Sequence, residues 1–343
     1  MLQVKKEGII LKKTAFGFES DGVLNPAVIK YENNIHIFYR AVSKGNYSSI
    51  GYCKLSNPLQ IVERHDMPII LPQHDYEMHG VEDPRISNID NLFYLTYTAY
   101  DGVNALGALA TSTDLKIWKK HGIITPKMVF GEFKRLAENK AVLNDKYARF
   151  NSDGGVKEIK GIHKLLWDKN VIFFPRRIDG KLYFLHRIKP DIQIVAVNNL
   201  DELTNEFWQN YFLCFADNIV LTSVHNFESS YIGGGCPPIE TKEGWVFIYH
   251  GVQDSVDGYV YSACAALLDI KNPQRVIARL PYPIFMPDKN WELSGYVNNV
   301  CFPTGTIVED DILYIYYGAA DEQIAVASVF LSELVTELLL HKA

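Results

Sequence analysis

The stretch His79-Gly80-Val81-Glu82-Asp83-Pro84-Arg85-Ile86 puts two adjacent carboxylates, a proline and a guanidinium at the mouth of an apolar, strand-like run. Residues two apart on a strand share a face, so Arg85 lies on the side of Asp83. Burial in an aromatic-lined hollow raises the pKa of a carboxyl group, and on that ground Asp83 is expected to be a general acid. The plainer alternative makes Glu82, Asp83 and Arg85 a structural ion-pair network. Arg40, Arg187, His186, His250 and Tyr317 close a set of similar apolar segments, and Lys169 stands in Asp168-Lys169-Asn170-Val171. Such basic groups suit sugar hydroxyls or a phosphate, although some of them would merely tie segments together. Glu228 is either a solvated loop acid or a second catalytic carboxylate. Asp321 is either a turn residue or a ligand for sugar hydroxyls. Gly233-Gly234-Gly235 lacks the Lys-Ser/Thr of a phosphate loop and reads as a close backbone approach.

These residues need a scaffold, and the scaffold repeats. Five segments share a turn followed by an aromatic and β-branched strand: 33–41, 90–99, 179–188, 243–252 and 310–319. Each follows a proline-bearing strand and precedes a third strand of small residues. The prolines Pro26, Pro84, Pro175, Pro238 and Pro303 recur at similar intervals, except that the second unit carries roughly 30 extra residues. Units of this kind cannot bury both faces alone, and five of them predict an all-β, five-bladed β-propeller with a partly helical insertion around residues 128–168. The whole chain, 1–343, then forms one catalytic domain; a β-sandwich is the alternative. In a propeller the inner strands start at one face, so Asn25, Asp83, Phe174, Cys236 with Pro237, and Phe302 should ring a funnel. A proline is at home on the first residue of a strand, where it need not donate to the ladder.

Composition narrows the partners. A net charge of −6 leaves no electrostatic footprint for nucleic acid or an anionic membrane. No apolar run is long enough to span a bilayer. Five scattered cysteines, with no CxxC or HxxxH spacing, read as free thiols and not as disulfides or a metal site. A cytoplasmic location is expected, with a removed leader left open. No metal cluster or dinucleotide fingerprint is present, so no cofactor is expected.

Together the stretches NPAVI with FYRA, HGVEDPRI, DKNVIFFPRRIDGKLYFLHR, IGGGCPPIETKEGWVFIYHGV, NNVCFPTGTI and YYGAADEQIAVA resemble glycoside hydrolase family 130, the β-mannoside phosphorylases and β-mannosidases. The resemblance covers about residue 20 to 330. It implies an inverting attack on a β-mannoside, with a mannose-containing oligosaccharide as partner. Asp83 would be the acid, acting through a mannose hydroxyl, and Asn25, Arg40 and Asp321 match the sugar-binding motifs. Glu82, Arg85, Lys169, Arg187 and His250 are further candidate sugar contacts. Phosphorylases of the family hold phosphate with basic residues, whereas its hydrolases use glutamate to activate water. Arg187 and Lys169 suit phosphate, but Tyr231 stands where phosphorylases commonly present a lysine, with Glu228 just upstream. The expectation is therefore a hydrolase with Glu228 as base, the two carboxyl groups about 6.5–9.5 Å apart. A phosphorylase with inorganic phosphate as co-substrate is the alternative. A non-catalytic sugar-binding propeller and an arabinan-type glycosidase are further ones. The insertion at 128–168 either shapes distant subsites or mediates a homo-oligomer.

Overall fold

Turn chemistry cuts the chain into antiparallel strands. Asp90-Asn91, Asp179-Gly180 and Asp310-Asp311 all take left-handed φ, between 48° and 79°. Two successive left-handed residues give the hairpin whose twist matches that of the strands, and Asp, Asn and Gly reach that region at least cost. The computed structural model of the protein describes residues 2–152 and 163–343. It is mostly β with few helices; its strands form two four-stranded sheets, one of five and one of eight, and the last divides at a single parallel bridge, so that five antiparallel units can be followed.

Unit one comprises Gly22–Tyr31, Asn34–Ser43, Tyr47–Asn57 and Gln60–Arg64, and unit two Gly80–Ile89, Leu92–Tyr100, Ala105–Ser112 and Lys119–Ile123. Unit three holds Lys169–Phe173, Leu182–Arg187, Ile192–Val197 and Ile219–Leu221. Unit four holds Tyr231–Gly234, Trp245–Ser255, Gly258–Leu268 and Val276–Arg279, with Ile239–Glu240 beside its second strand. Unit five runs through Cys301–Glu309, Ile312–Ala319 and Gln323–Phe330, and takes its fourth strand, Lys5–Leu11, from the start of the chain. A parallel bridge between Ser48 and Gly80 links units one and two.

Side chains buried on both faces of a unit must find partners on its neighbours. The described core falls into five clusters, each shared by consecutive units. Phe38 and Ile50 of unit one pack with Leu95 and Tyr97 of unit two. Units two and three, three and four, and four and five share the next three clusters. Val28 and Ile37 of unit one close the series against Tyr316 and Val326 of unit five. The insertion contributes the helices Phe130–Ala137 and Asp145–Asn151, the first burying Phe133 against Phe212 and Phe215. Residues 153–162, also part of the expected insertion, lie outside the described residues.

A buried lock repeats between the second strands and the segments that lead into each unit. Tyr39 donates to Glu19, Tyr97 to Glu77, Tyr249 to Glu228 and Tyr317 to Glu292, at 2.6–2.7 Å. Arg64, Lys120, Arg279 and Lys6 pair with the same four carboxylates at 2.5–2.8 Å. In unit three His186 takes the tyrosine's place, with Asp168 at 2.8 Å on Nδ1 and the Tyr211 hydroxyl at 2.8 Å on Nε2. The sequence signal is an aromatic residue before each glutamate: Phe18-Glu19, Tyr76-Glu77, Phe227-Glu228 and Trp291-Glu292.

Two expectations are corrected here. The first strand of unit three is Lys169–Phe173, so Phe174 and Pro175 lie beyond its far end; Phe174 is buried edge-on against Trp245. Likewise Cys236 follows Tyr231–Gly234 and is buried in the core between units four and five. Neither residue rings a funnel, because in these units the proline comes after the strand instead of near its start.

Candidate active site

The first strands of units one, two and three break register at corresponding places: between Leu24 and Ala27, Glu82 and Arg85, and Lys169 and Ile172. Each break contains a left-handed residue: Asn25 (φ 51°), Asp83 (48°) and Asn170 (57°). A bulge of this kind re-aims a side chain out of the ladder. Here it turns all three toward one hollow of about 210 Å³, together with Arg40, Lys169, Arg187, Lys189, Tyr231, Phe302 and Asp321.

Parity along the second strands brings Arg40 and Arg187 to the wall. Tyr39, Tyr97, His186, Tyr249 and Tyr317 belong to the buried locks, so the residues after them, Arg40, Thr98, Arg187, His250 and Gly318, face the other way. Gly318 needs its missing side chain: a Cβ there would lie 2.1 Å from Asn25 Oδ1.

One half of the hollow is acidic. Asn25 Nδ2 donates to Asp83 Oδ1 at 2.7 Å. The Arg40 guanidinium donates to Glu82 at 2.9 Å, to Asp83 at 3.5 Å and to Ser48 Oγ at 2.8 Å. Burial alone would raise the pKa of Asp83, but Arg40, Lys169, the Asn25 hydrogen bond and Arg85 outweigh it and hold the carboxyl at about 2. The expected upward shift is therefore corrected. It is Asp321 that burial pushes up to about 6, against the pull of Arg40 and with the help of Asp83. Two carboxyl groups in one hollow thus differ widely in proton affinity, a pattern of acid–base sites.

The other half is basic. Lys169 Nζ lies 3.6 Å from Glu82. Arg187 and Lys189 both stand over the Tyr231 ring, at 5.4 and 3.7 Å from its centroid. Among the described residues neither meets a carboxylate within ion-pair distance, and Arg187 Nε is buried without a partner. Burial, Arg187 and Lys169 together push the Lys189 ammonium well below the ordinary lysine range. Lys169, Arg187 and Lys189 thus bring three basic side chains to one cavity, and among the described residues only Lys169 is in an ion pair, an arrangement that can hold an anion.

Asn25, Arg40, Asp83, Lys169, Arg187 and Asp321 reach this cavity; four other expected residues do not line it. Glu82 is buried behind the wall between Arg40 and Lys169, where it positions both. Arg85 is buried beneath, donating to the carbonyl oxygens of Asp83, Pro84 and Gly235 across to unit four. His250 is buried against Phe302, ring centroids 4.3 Å apart, and under Gly233. Burial, with Arg187, Arg85 and Lys189, holds its imidazole neutral, its pKa well below the usual value.

Glu228 is the fourth, and its expected role as a base at the funnel is corrected. It is fully buried in the lock of unit four, accepting from Tyr249 and Arg279 and from the backbone N–H groups of Val224 and His225. With every lone pair engaged it has no water to activate. Glu228→Gln is expected to leave the product and kcat unchanged within about twofold, while breaking a buried ion pair costs roughly 3–5 kcal/mol of stability. Thermal melts alongside turnover check this; a large loss of kcat with an unchanged melt would restore the catalytic role.

Sequence reasoning missed Lys189 and Asn170. Lys189 follows Arg187 by two positions in His-Arg-Ile-Lys-Pro, and Asn170 occupies the bulge position of Asn25 and Asp83 without a following proline.

Known proteins of one family resemble this chain over nearly its whole length. The model of glycoside hydrolase family 130, described as beta-1,4-mannooligosaccharide phosphorylase, matches residues 12–339. A beta-1,2-mannobiose phosphorylase of Thermoanaerobacter sp. (strain X514) is 34% identical over 91% of this chain and 91% of its own length. A 1,2-beta-oligomannan phosphorylase of the same organism is 31% identical over 97% of this chain and 99% of its own. Among solved structures, the beta-1,2-mannobiose phosphorylase from Listeria innocua in complex with beta-1,2-mannobiose superposes with a TM-score of 0.74 at 22% identity. That superposition covers 99% of this chain and 100% of the other, and at this identity it speaks to the fold.

Proposed function

The chain belongs to glycoside hydrolase family 130, and on that premise we propose that it is a β-mannoside phosphorylase acting on β-1,2-linked mannosides. The observation that carries this reading is the trio Lys169, Arg187 and Lys189, which lines the same hollow as Asp83 and Asp321. Where Tyr231 stands in place of a lysine, Lys189 brings an ammonium to its ring. The expectation of hydrolysis rested on Glu228, which sits in a lock and not in the hollow. Full-length relatives that share about a third of the sequence are named phosphorylases.

In this reading the terminal mannose lies among Asn25, Arg40, Asp83 and Asp321, and hydrogen phosphate is clamped by the three cations beneath its anomeric carbon. A phosphate oxygen bonds to that carbon as the bond to the leaving oxygen breaks, with inversion. Asp83, ionised at the outset, takes a proton from hydrogen phosphate and relays it through a mannose hydroxyl to the leaving oxygen, so charge and protons balance. The products are α-mannose 1-phosphate and a shortened sugar. The anion placed beside Lys169 also offsets one of the cations that hold Asp83 ionised, which raises its proton affinity when it is needed.

Five units with cores shared in cyclic order support a five-bladed propeller forming one catalytic domain. Five free cysteines suit a reducing compartment such as the cytoplasm, and no described helix is long and apolar enough to cross a membrane. The reading calls for no cofactor beyond phosphate as co-substrate.

The test is a product assay on β-1,2-mannobiose with and without inorganic phosphate. Mannose 1-phosphate formed only with phosphate is the expected result. Free mannose formed equally in both would make the chain a hydrolase, and no turnover of any mannoside would leave a sugar-binding protein.

A further inference from the structure

A second cavity, of about 720 Å³, adjoins the candidate active-site hollow and shares Arg40 and Asp321 with it. Its walls come from units one and five. Ser20 and Asp21 lie on the segment that enters unit one, and Gly45 with Asn46 forms the turn between the second and third strands. Tyr296 stands on the segment that enters unit five.

Tyr296 is 73% exposed, but its segment is tied down. Val297 N–H donates to the Ala320 carbonyl at 3.1 Å, and Gly295 packs so closely on Ala320 that a Cβ would lie 2.6 Å from its carbonyl oxygen. Ala320 precedes Asp321, so the ring is held at a set distance from the catalytic hollow. The polar groups around it suit an uncharged polyol. Asp21 receives the Ser20 hydroxyl at 3.1 Å, Lys13 is paired with Glu322 at 2.9 Å, and the Asn46 amide lines the same cavity. An exposed aromatic face with hydroxyl and amide groups nearby is the chemistry of a sugar-stacking platform.

Resting on the phosphorylase reading, we propose that this outer cavity binds the mannosyl units beyond the scissile disaccharide, with Tyr296 as their platform, so that the preferred substrate is an oligosaccharide of three or more units. In this proposal the inner hollow, at about 210 Å³, takes the terminal mannose, and the outer cavity is more than three times larger. Cleavage therefore proceeds from the end of the chain that enters first.

The experiment compares kcat/KM for β-1,2-mannobiose and β-1,2-mannotriose, with phosphate saturating, in the native chain and in Tyr296→Ala and Tyr296→Phe. The native chain is expected to favour the trisaccharide about tenfold. Tyr296→Ala should erase most of that ratio and Tyr296→Phe, which keeps the ring, should retain it. Equal kcat/KM for the two sugars in the native chain, or a loss in Tyr296→Ala that falls equally on both, overturns the proposal while leaving phosphorolysis intact. A chain that turned over neither sugar would sink the phosphorylase reading instead. Calorimetric binding of the same two sugars then decides the platform: tighter trisaccharide binding abolished by Tyr296→Ala supports it, and equal binding overturns it.

Discussion

Asp83→Asn is expected to lower kcat about a thousandfold, near the middle of the range for a lost general acid, while the protein stays folded. The amide keeps the size of the carboxyl group and still accepts from Asn25, and Arg40 retains Glu82 at 2.9 Å. What disappears is the group that passes the proton. Stability changes in a direction fixed by the shift. The folded carboxyl is held at about 2 against an ordinary 3.8, so its charge stabilises the fold above pH 3.8, and that contribution is lost as pH falls toward 2. Asp83→Asn should therefore melt somewhat lower than the native chain at pH 7, with the gap closing in acid. Turnover at saturating mannobiose and phosphate, with melts at both pH values, measures this. Activity within tenfold of native would remove Asp83 from the mechanism.

Removing the cations has an effect of similar size on a different parameter. Arg187→Ala and Lys189→Met should each raise the KM for phosphate about 10- to 100-fold, since each deletes a charge-assisted hydrogen bond to the anion. The double variant should be nearly inactive at millimolar phosphate. Lys189→Met carries a second signature. Its ammonium is pushed well below the usual 10.5 by burial, Arg187 and Lys169. A lysine whose pKa falls on folding destabilises the fold as pH drops below 10.5. Lys189→Met should accordingly melt higher than native at pH 7, trading stability for function. Initial rates over a phosphate series together with melting curves read both effects. An unchanged phosphate KM would mean that the basic trio does not hold the co-substrate.

Much of the scaffold and part of the site could be read from the residues in order. Alternating apolar patterns and Asp-Asn, Asp-Gly and Asp-Asp turns mark strands and hairpins because both are local signals, set within a few residues. Repetition extended that reading. Equivalent positions in similar units land at one end, so Asn25, Asp83, Arg40 and Arg187 were identified as neighbours though they are far apart in the chain. The same logic failed where a unit departs from the pattern. Pro175 and Pro238 suggested the wrong starting points because they follow their strands, and Asn170 lacks the proline that marked its counterparts.

Tertiary structure alone decided which of two adjacent residues faces the hollow and which the neighbouring unit. A strand alternates sides at every step. Tyr249 therefore turns away from the hollow and locks to Glu228, which stands on the short turn Asn226–Glu228, together with Arg279; Lys189, in the turn after the strand that ends at Arg187, joins Arg187 in the cavity. Charge was equally out of reach. Asp83 and Asp321 are the same chemical group, yet one is held at about 2 and the other pushed up to about 6. Proton affinity sums burial and every nearby charge, and for Asp83 those charges are Arg40 and Lys169, brought from units one and three. The sequence by itself determined which side chains were present at the mouths of the strands. Only their assembly determined which of them share the hollow, how far their proton affinities differ there, and which simply hold the units together.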